Sequence, residues 1–254
     1  MGSNKKVVSL HDKPLFKMKI RQIISFILLL FCAGAMADEY PTIAPTATYI
    51  TKDGEEENPA KSGSAPLQAI FKANPENVGL YSATYEWRFY HNDMQGDPYL
   101  TRYEENTEYT FTKAGGHYIV CYATFIHGND TIAYTKEYWE TEGQPLTCTV
   151  SQSRLEMPNA FSPNGDDIND VYRAKSNYQS ITEFHAYIFN RWGQKLYEWT
   201  DPAGGWDGKY NGRDVKQGVY YVLVKAKGAD GIHYNIKKDV NLLRGFTTPG
   251  SNNY

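Results

Sequence analysis

Tyr109-Thr110-Phe111-Thr112-Lys113-Ala114-Gly115-Gly116-His117-Tyr118-Ile119-Val120-Cys121-Tyr122 is the stretch that decides the fold class. Bulky residues alternate with smaller or polar ones on both sides of an Ala-Gly-Gly turn. A period of two with a glycine turn between the runs predicts paired strands, because successive side chains of a strand point to opposite faces. The same alternation recurs upstream. Leu67, Ala69 and Phe71 alternate with Gln68, Ile70 and Lys72, and Tyr85, Trp87 and Phe89 with Glu86, Arg88 and Tyr90. From Thr42 to Val150 no helical stretch shows both period and caps, and the polar run Asp53–Ser64 reads as a loop. Short strands at this spacing predict a β-sandwich, with Trp87 packed between its sheets. Tyr118, Val120 and Tyr122 are the bulky set of their run, which assigns them to the core face and Cys121 to the other.

The run after Val150 is again β. Phe184, Ala186 and Ile188 alternate with His185, Tyr187 and Phe189, apolar on both faces, as in a strand covered on two sides. Lys195–Trp199, Val219–Ala226 and Ile232–Leu243 follow, the last two flanking Gly228-Ala229-Asp230-Gly231, whose Asp-Gly suits a hairpin. Ser151–Glu156 is a polar connector of a few residues, so the two domains should be closely coupled.

The chain has 254 residues with a formal charge of −3. Lys17, Lys19 and Arg21 precede an apolar run from Ile23 to Phe31, and Ala35-Met36-Ala37 has the small-x-small pattern of a signal-peptidase site. The uncharged stretch is shorter than the ~20 residues that span a bilayer comfortably, so residues 1–37 read as a signal peptide cleaved before Asp38, with Met18 an alternative start. A membrane anchor is the competing reading. Bulky Phe31 stands before Cys32, where a lipid-attachment site wants a small residue. Beyond residue 37 the chain holds 20 basic and 28 acidic residues. Neutralising phosphates needs a basic face, so nucleic-acid binding is excluded as the expectation. Charge is uneven: 7 basic and 15 acidic residues in 42–150, against 13 and 11 from Ser151 onward.

Ala65-Pro66-Leu67-Gln68-Ala69-Ile70-Phe71, Tyr85-Glu86-Trp87 and the Tyr109–Val120 run resemble a PKD domain, an immunoglobulin-like module of surface proteins. That family's Gly-Asp-Gly turn is replaced by Tyr90-His91-Asn92-Asp93. The C-terminal half resembles the gliding-motility-associated C-terminal domain, the type B sorting domain of type IX secretion. Its landmarks occur in order: Pro158-Asn159-Ala160-Phe161-Ser162-Pro163-Asn164-Gly165-Asp166, Asn169-Asp170, Ile188-Phe189-Asn190-Arg191-Trp192-Gly193, Gly205-Trp206-Asp207-Gly208, Asn211-Gly212 and Gly218-Val219-Tyr220-Tyr221. The resemblances imply an all-β protein of two immunoglobulin-like β-sandwich domains in tandem after the signal peptide. The first spans 42–150, the linker 151–156, the sorting domain 157–246 and a polar tail 247–254. They also imply a type IX apparatus and a PorP-family outer-membrane protein as partners, and a cell-surface or extracellular location. A surface adhesin that uses both sandwiches as one protein- or glycan-recognition unit, without type IX export, is the alternative, and an exposed row of Tyr or Trp would favour it.

Locally, Asn190, Arg191 and Gly193 suit a turn ending a buried strand, with Trp192 covering the sheet edge. Trp206-Asp207-Gly208 places a large ring in the core and then turns. Gly218 lets the chain swing into its strand, and Tyr220 follows. Such a signal is read as a folded surface, so the motif residues hold shape and residues 155–246 should fold without help from the first domain. Asp167 stands where the family often has Gly; Asp tolerates left-handed φ better than most residues.

Asn164, Asp166, Asp167, Asn169 and Asp170 put five oxygen-bearing side chains into one loop, enough to consider Ca²⁺, which takes six to eight hard oxygens. The spacing is not that of an EF-hand. An Asx-rich turn closed by its own backbone bonds explains the same residues. Cys121 and Cys148 could pair in an exported protein, although assigned to opposite strand faces; two separate thiols are the other reading. His91, His117, His127, His185 and His233 show no metal or protease spacing, and no nucleophile or phosphate-loop motif occurs. The expectation is a protein without enzymatic activity or obligatory cofactor.

Overall fold

The computed structural model describes residues 40–51 and 54–245. The stretch read as a leader with a cleavage site, Cys32, Asp53 and the 247–254 tail lie outside the described residues. In the first domain the elements are β1 (Thr42–Ile43), β2 (Thr46–Thr51), β3 (Gly54–Glu57), β4 (Ala60–Gly63), β5 (Leu67–Lys72), β6 (Pro75–Glu76), β7 (Ser82–His91), β8 (Leu100–Arg102), β9 (Asn106–Phe111), β10 (Gly115–His127), β11 (Asp130–Tyr134), α1 (Lys136–Thr141) and β12 (Leu146–Val150). The second holds β13 (Ala160–Phe161), β14 (Ile181–Phe189), β15 (Lys195–Trp199), β16 (Lys209–Tyr210), β17 (Arg213–Asp214), β18 (Gly218–Gly228) and β19 (His233–Leu242).

One sheet of the first domain has the order β4-β12-β10-β7-β8 with β11 also on β10; the other is β3-β2-β5-β9. Phe71, Trp87, Phe89, Phe111 and Phe125 are fully buried among the core residues of this domain. Phe71 meets Phe89 and Phe111 edge to face, with centroids 5.4 and 6.3 Å apart, an arrangement the ring quadrupoles favour. The architecture is the sandwich that the alternation predicts.

Several expectations are corrected here. The core face of β10 is His117, Ile119, Cys121, Ala123 and Phe125, while Tyr118 and Tyr122 look outward, half-buried. Pairing decides this: Cys121 lies opposite Trp87 and Ile119 opposite Phe89, and directly paired residues share a face. Tyr122 keeps a partner outside, with the Arg88 guanidinium 4.3 Å from its ring centroid. The disulfide does not form; Cys121 and Cys148 are free thiols. They share a face, but Cys148 pairs with His117, four residues from Cys121 and so roughly 13 Å along the strand, beyond the ~7 Å a bridge spans. Burial pushes each thiol up to about 12.

The stretch read as a loop carries β3, antiparallel to β2, and β4, parallel to β12. Both are edge strands and all of β3 is exposed, so no apolar alternation marks them. Helix α1 was also absent from the sequence reading. Its N-cap Thr135 makes no side-chain cap bond. Tertiary contact holds it instead: Trp139 is buried and its indole N–H donates to the Cys121 carbonyl at 3.1 Å.

The second domain is a five-stranded sheet of order β13-β19-β18-β14-β15. Phe184, Ala186, Ile188, Tyr220, Val222, Val224, Val240 and Leu242 form its buried face. The covering layer is mostly irregular chain. It brings Leu155, Met157, Phe161, Tyr172 and Trp206 onto the sheet, braced by the Arg154–Gln179 and Tyr172–Trp206 bridges and the β16–β17 hairpin. β14 is not covered on two sides as expected: His185, Tyr187 and Phe189 are half-buried on an open face. The His185 and Tyr187 rings stack at 4.3 Å and 18°, so they shield one another.

The connector runs into a packed junction. Ser180, 1% exposed, accepts the Ala65 N–H on its Oγ at 3.1 Å, and its own N–H donates to Ser64 Oγ at 2.6 Å. Ser151 Oγ lies 2.8 Å from Ser180 Oγ. Ala229, in the β18–β19 turn, is buried against the core of the first domain and accepts the Ala114 N–H on its carbonyl at 2.9 Å. The Ser153 hydroxyl and N–H hold Asp230 beside it at 2.7 and 2.8 Å. The two domains thus meet in a hydrogen-bonded junction at Ser180 and Ala229.

Candidate functional site

β14 and β18 run antiparallel from the junction, and the far end of eleven-residue β18 lies roughly 33 Å from it. At that free pole the sequence landmarks meet. Phe161 leaves β13 beside Leu242, and its ring packs against Tyr172 and Trp206 with centroids 5.6 and 5.4 Å away. Trp206 is fully buried, its indole N–H donating to the Lys209 carbonyl at 2.7 Å. Tyr220 crosses it at 5.1 Å, and the Tyr220 hydroxyl donates to the Lys216 carbonyl. Asp207 then accepts the Lys209 N–H, closing an Asx turn that Gly208 completes at φ +78°.

Pro158 accepts the Tyr172 hydroxyl on its carbonyl, Asn159 accepts the Asn241 N–H in the same way, and Lys238 contacts the Asn159 side chain. Asn211 and Gly212, both at positive φ, turn the β16–β17 hairpin, and Gly218 at φ +150° opens β18. All of these act on shape.

Arg244 is a residue that sequence reasoning missed. Its Nη2 donates to the Gly208 carbonyl at 2.8 Å, its Nη1 to Pro163 at 3.2 Å and its Nε to Val215 at 3.3 Å, with Asp214 at 3.4 Å. One guanidinium thus ties together the loops that carry three separate landmarks. A Cβ on Gly208 would sit 3.1 Å from Arg244 Nη2, Leu242 and Pro163, so a side chain there would press the clamp apart. The signal for Arg244 was a lone arginine just past the last strand, too common to single out.

The 164–170 loop closes on itself. Asp170 Oδ1 accepts the N–H groups of Asn164 and Gly165, and Oδ2 that of Asp167, each at 2.8 Å. Asp166 accepts the Ile168 N–H, and Asn164 Oδ1 accepts that of Asp166. Asp167 and Asn169 adopt φ +63° and +56°, the left-handed conformation Asp tolerates. The Gly165 N–H above all, with those of Asp167 and Asn164, holds the Asp170 carboxyl below its ordinary value. Among the described residues no three acidic, His or Cys side chains gather as metal ligands. The residues as arranged do not fit a Ca²⁺ centre, since both Asp170 oxygens already face amides.

One landmark behaves differently. Asn190 accepts the Trp192 and Gln194 N–H groups on Oδ1 at 3.0 and 3.1 Å, and Gly193 turns at φ +80°. Trp192 does not cover the sheet edge as expected; it is 79% exposed. The Arg191 guanidinium lies 5.1 Å from the centroid of its ring.

Residues 155–238 match the family model of the CHU_C Type IX secretion signal domain. No curated protein matches the chain. Over residues 155–238 the C-terminal half is thus similar to a type IX secretion signal domain, and most of the loop cluster at its free pole falls within that match.

Proposed function

We propose that this is an exported, non-enzymatic surface protein. Its C-terminal domain directs type IX secretion and attachment, engaging the apparatus and a PorP-family outer-membrane protein. Its first domain is a PKD-like passenger that takes a protein or glycan ligand. The match over 155–238 carries the reading, supported by landmarks that are spent on holding one folded pole in shape. Buried, weakly acidic thiols and a His117 locked between Tyr99 Oη and the Lys113 carbonyl fit a passenger without a nucleophile. The test expresses the full chain, and a chain ending at Val150, in a host with the type IX apparatus, and probes the surface with protease. The full chain reaches the surface and the shortened one stays in the periplasm. Equal exposure of both would sink the reading.

The junction at Ser180 and Ala229 favours a second reading, an adhesin acting as one recognition unit. Outward Tyr118 and Tyr122 give it a candidate face. It predicts surface display in a host lacking the apparatus.

A further inference from the structure

Of the five tryptophans, Trp87, Trp139, Trp199 and Trp206 are buried and Trp192 alone stands in water. Its turn is ordered by the Asn190 side chain, which also donates from Nδ2 to Gln194 Oε1 at 2.9 Å, while Gln194 Nε2 donates to the Tyr210 hydroxyl at 3.2 Å. The indole and the Arg191 guanidinium are thus carried on a braced backbone turn, which lowers the ordering cost of an encounter. Trp192 is not among the residues of the buried core.

The surroundings are cationic. Arg191, Arg213 and Lys216 make no ion pair among the described residues, whereas Lys195, Lys209 and Arg244 are paired with Glu198, Asp207 and Asp214. The acidic 164–170 loop follows β13, which forms the opposite edge of the sheet from β15. The passenger lies at the other pole, where it cannot obstruct this one.

We propose that Trp192 and Arg191 are the contact by which the sorting domain is recognised, inserting into an apolar slot rimmed by carboxylates on a protein of the export or outer-membrane machinery. This rests on the type IX reading above. Buried Trp and Arg side chains dominate protein interfaces, surrounded by contacts that matter little. A lipid surface is the less favoured occupant: one indole on a polar turn, with Asn190 and Gln194 beside it, offers too little apolar area for membrane docking.

The experiment places Trp192→Ala, Arg191→Ala and Trp192→Phe in the full chain and compares surface exposure with unmodified protein in a host carrying the apparatus. Melting of the purified proteins is measured in parallel. The expected result is an unchanged melting point with about tenfold or more loss of surface protein for Trp192→Ala, less for Trp192→Phe. Normal export of a folded Trp192→Ala chain, while the chain ending at Val150 is retained, overturns this inference and leaves the sorting reading standing. Failure of the unmodified chain to depend on residues 151–254 takes both down. Sedimentation of the full chain with phosphatidylethanolamine–phosphatidylglycerol vesicles, lost in Trp192→Ala, would assign the residue to lipid and also overturn it.

Discussion

Trp206 and Trp199 are both buried, yet their indole nitrogens differ. That of Trp206 donates to Lys209, and that of Trp199 has no partner among the described residues. Replacing Trp206 by Ala should cost ~3–5 kcal/mol, a large part of what a small domain has. Phe at 206 loses the bond to Lys209 and should cost ~1 kcal/mol or more, while Phe at 199 gives up no bond and should cost less. Denaturant unfolding of the three variants checks the order; a Trp199→Phe loss equal to that of Trp206→Phe would remove the distinction. His117 is a second residue whose environment sets a measurable quantity. Burial, with His91 and Lys113 nearby, lowers its folded pKa, outweighing the Lys113 carbonyl bond. The unfolded chain then takes up a proton first as pH falls below about 6.5. Stability from this site is complete above that value and is lost as pH falls through the lower folded pKa. Melting between pH 7 and 5 should therefore drop, and less steeply in His117→Gln.

At the scale of elements, the 164–170 loop is held by one carboxylate. Asp170→Ala should lower the melting point because three backbone N–H groups lose their acceptor, and the unmodified loss should appear in acid, since a carboxyl with a depressed folded pKa stabilises only while ionised. Millimolar Ca²⁺ against chelator should leave the melting point in place. An upward shift abolished by Asp170→Asn would restore the metal reading, since a ligand that binds only the folded state must raise it. Sequence periodicity found the strands that bury one face, such as β5, β7, β18 and β19, because burial imposes alternation. It missed β3 and β4, exposed edge strands without that imprint, and α1, which rests on one buried ring.

At the scale of the molecule, the Ser180–Ala229 junction should make the domains unfold together. Ala229→Arg, which forces a charge into the core of the first domain, is expected to split one calorimetric transition into two. A single transition at the original temperature in that variant would show the contact to be dispensable. The same geometry puts the first domain and the loop cluster around Trp206 at opposite ends of the five-stranded sheet.

The amino-acid order determined the all-β class and the turn landmarks of the C-terminal half, because these follow from local period, turn chemistry and short-range spacing. Only the tertiary structure decided which face of β10 is core, since the register with Trp87 and Phe89 overrules the bulk of Tyr118 and Tyr122. It alone separated the two cysteines along a strand and joined Arg244 to Pro163, Gly208 and Val215. It also distinguished Trp192, outside, from Trp206, inside. Both are aromatic landmarks in glycine turns, and whether a ring meets water or core depends on which segments, distant in sequence, arrive over it.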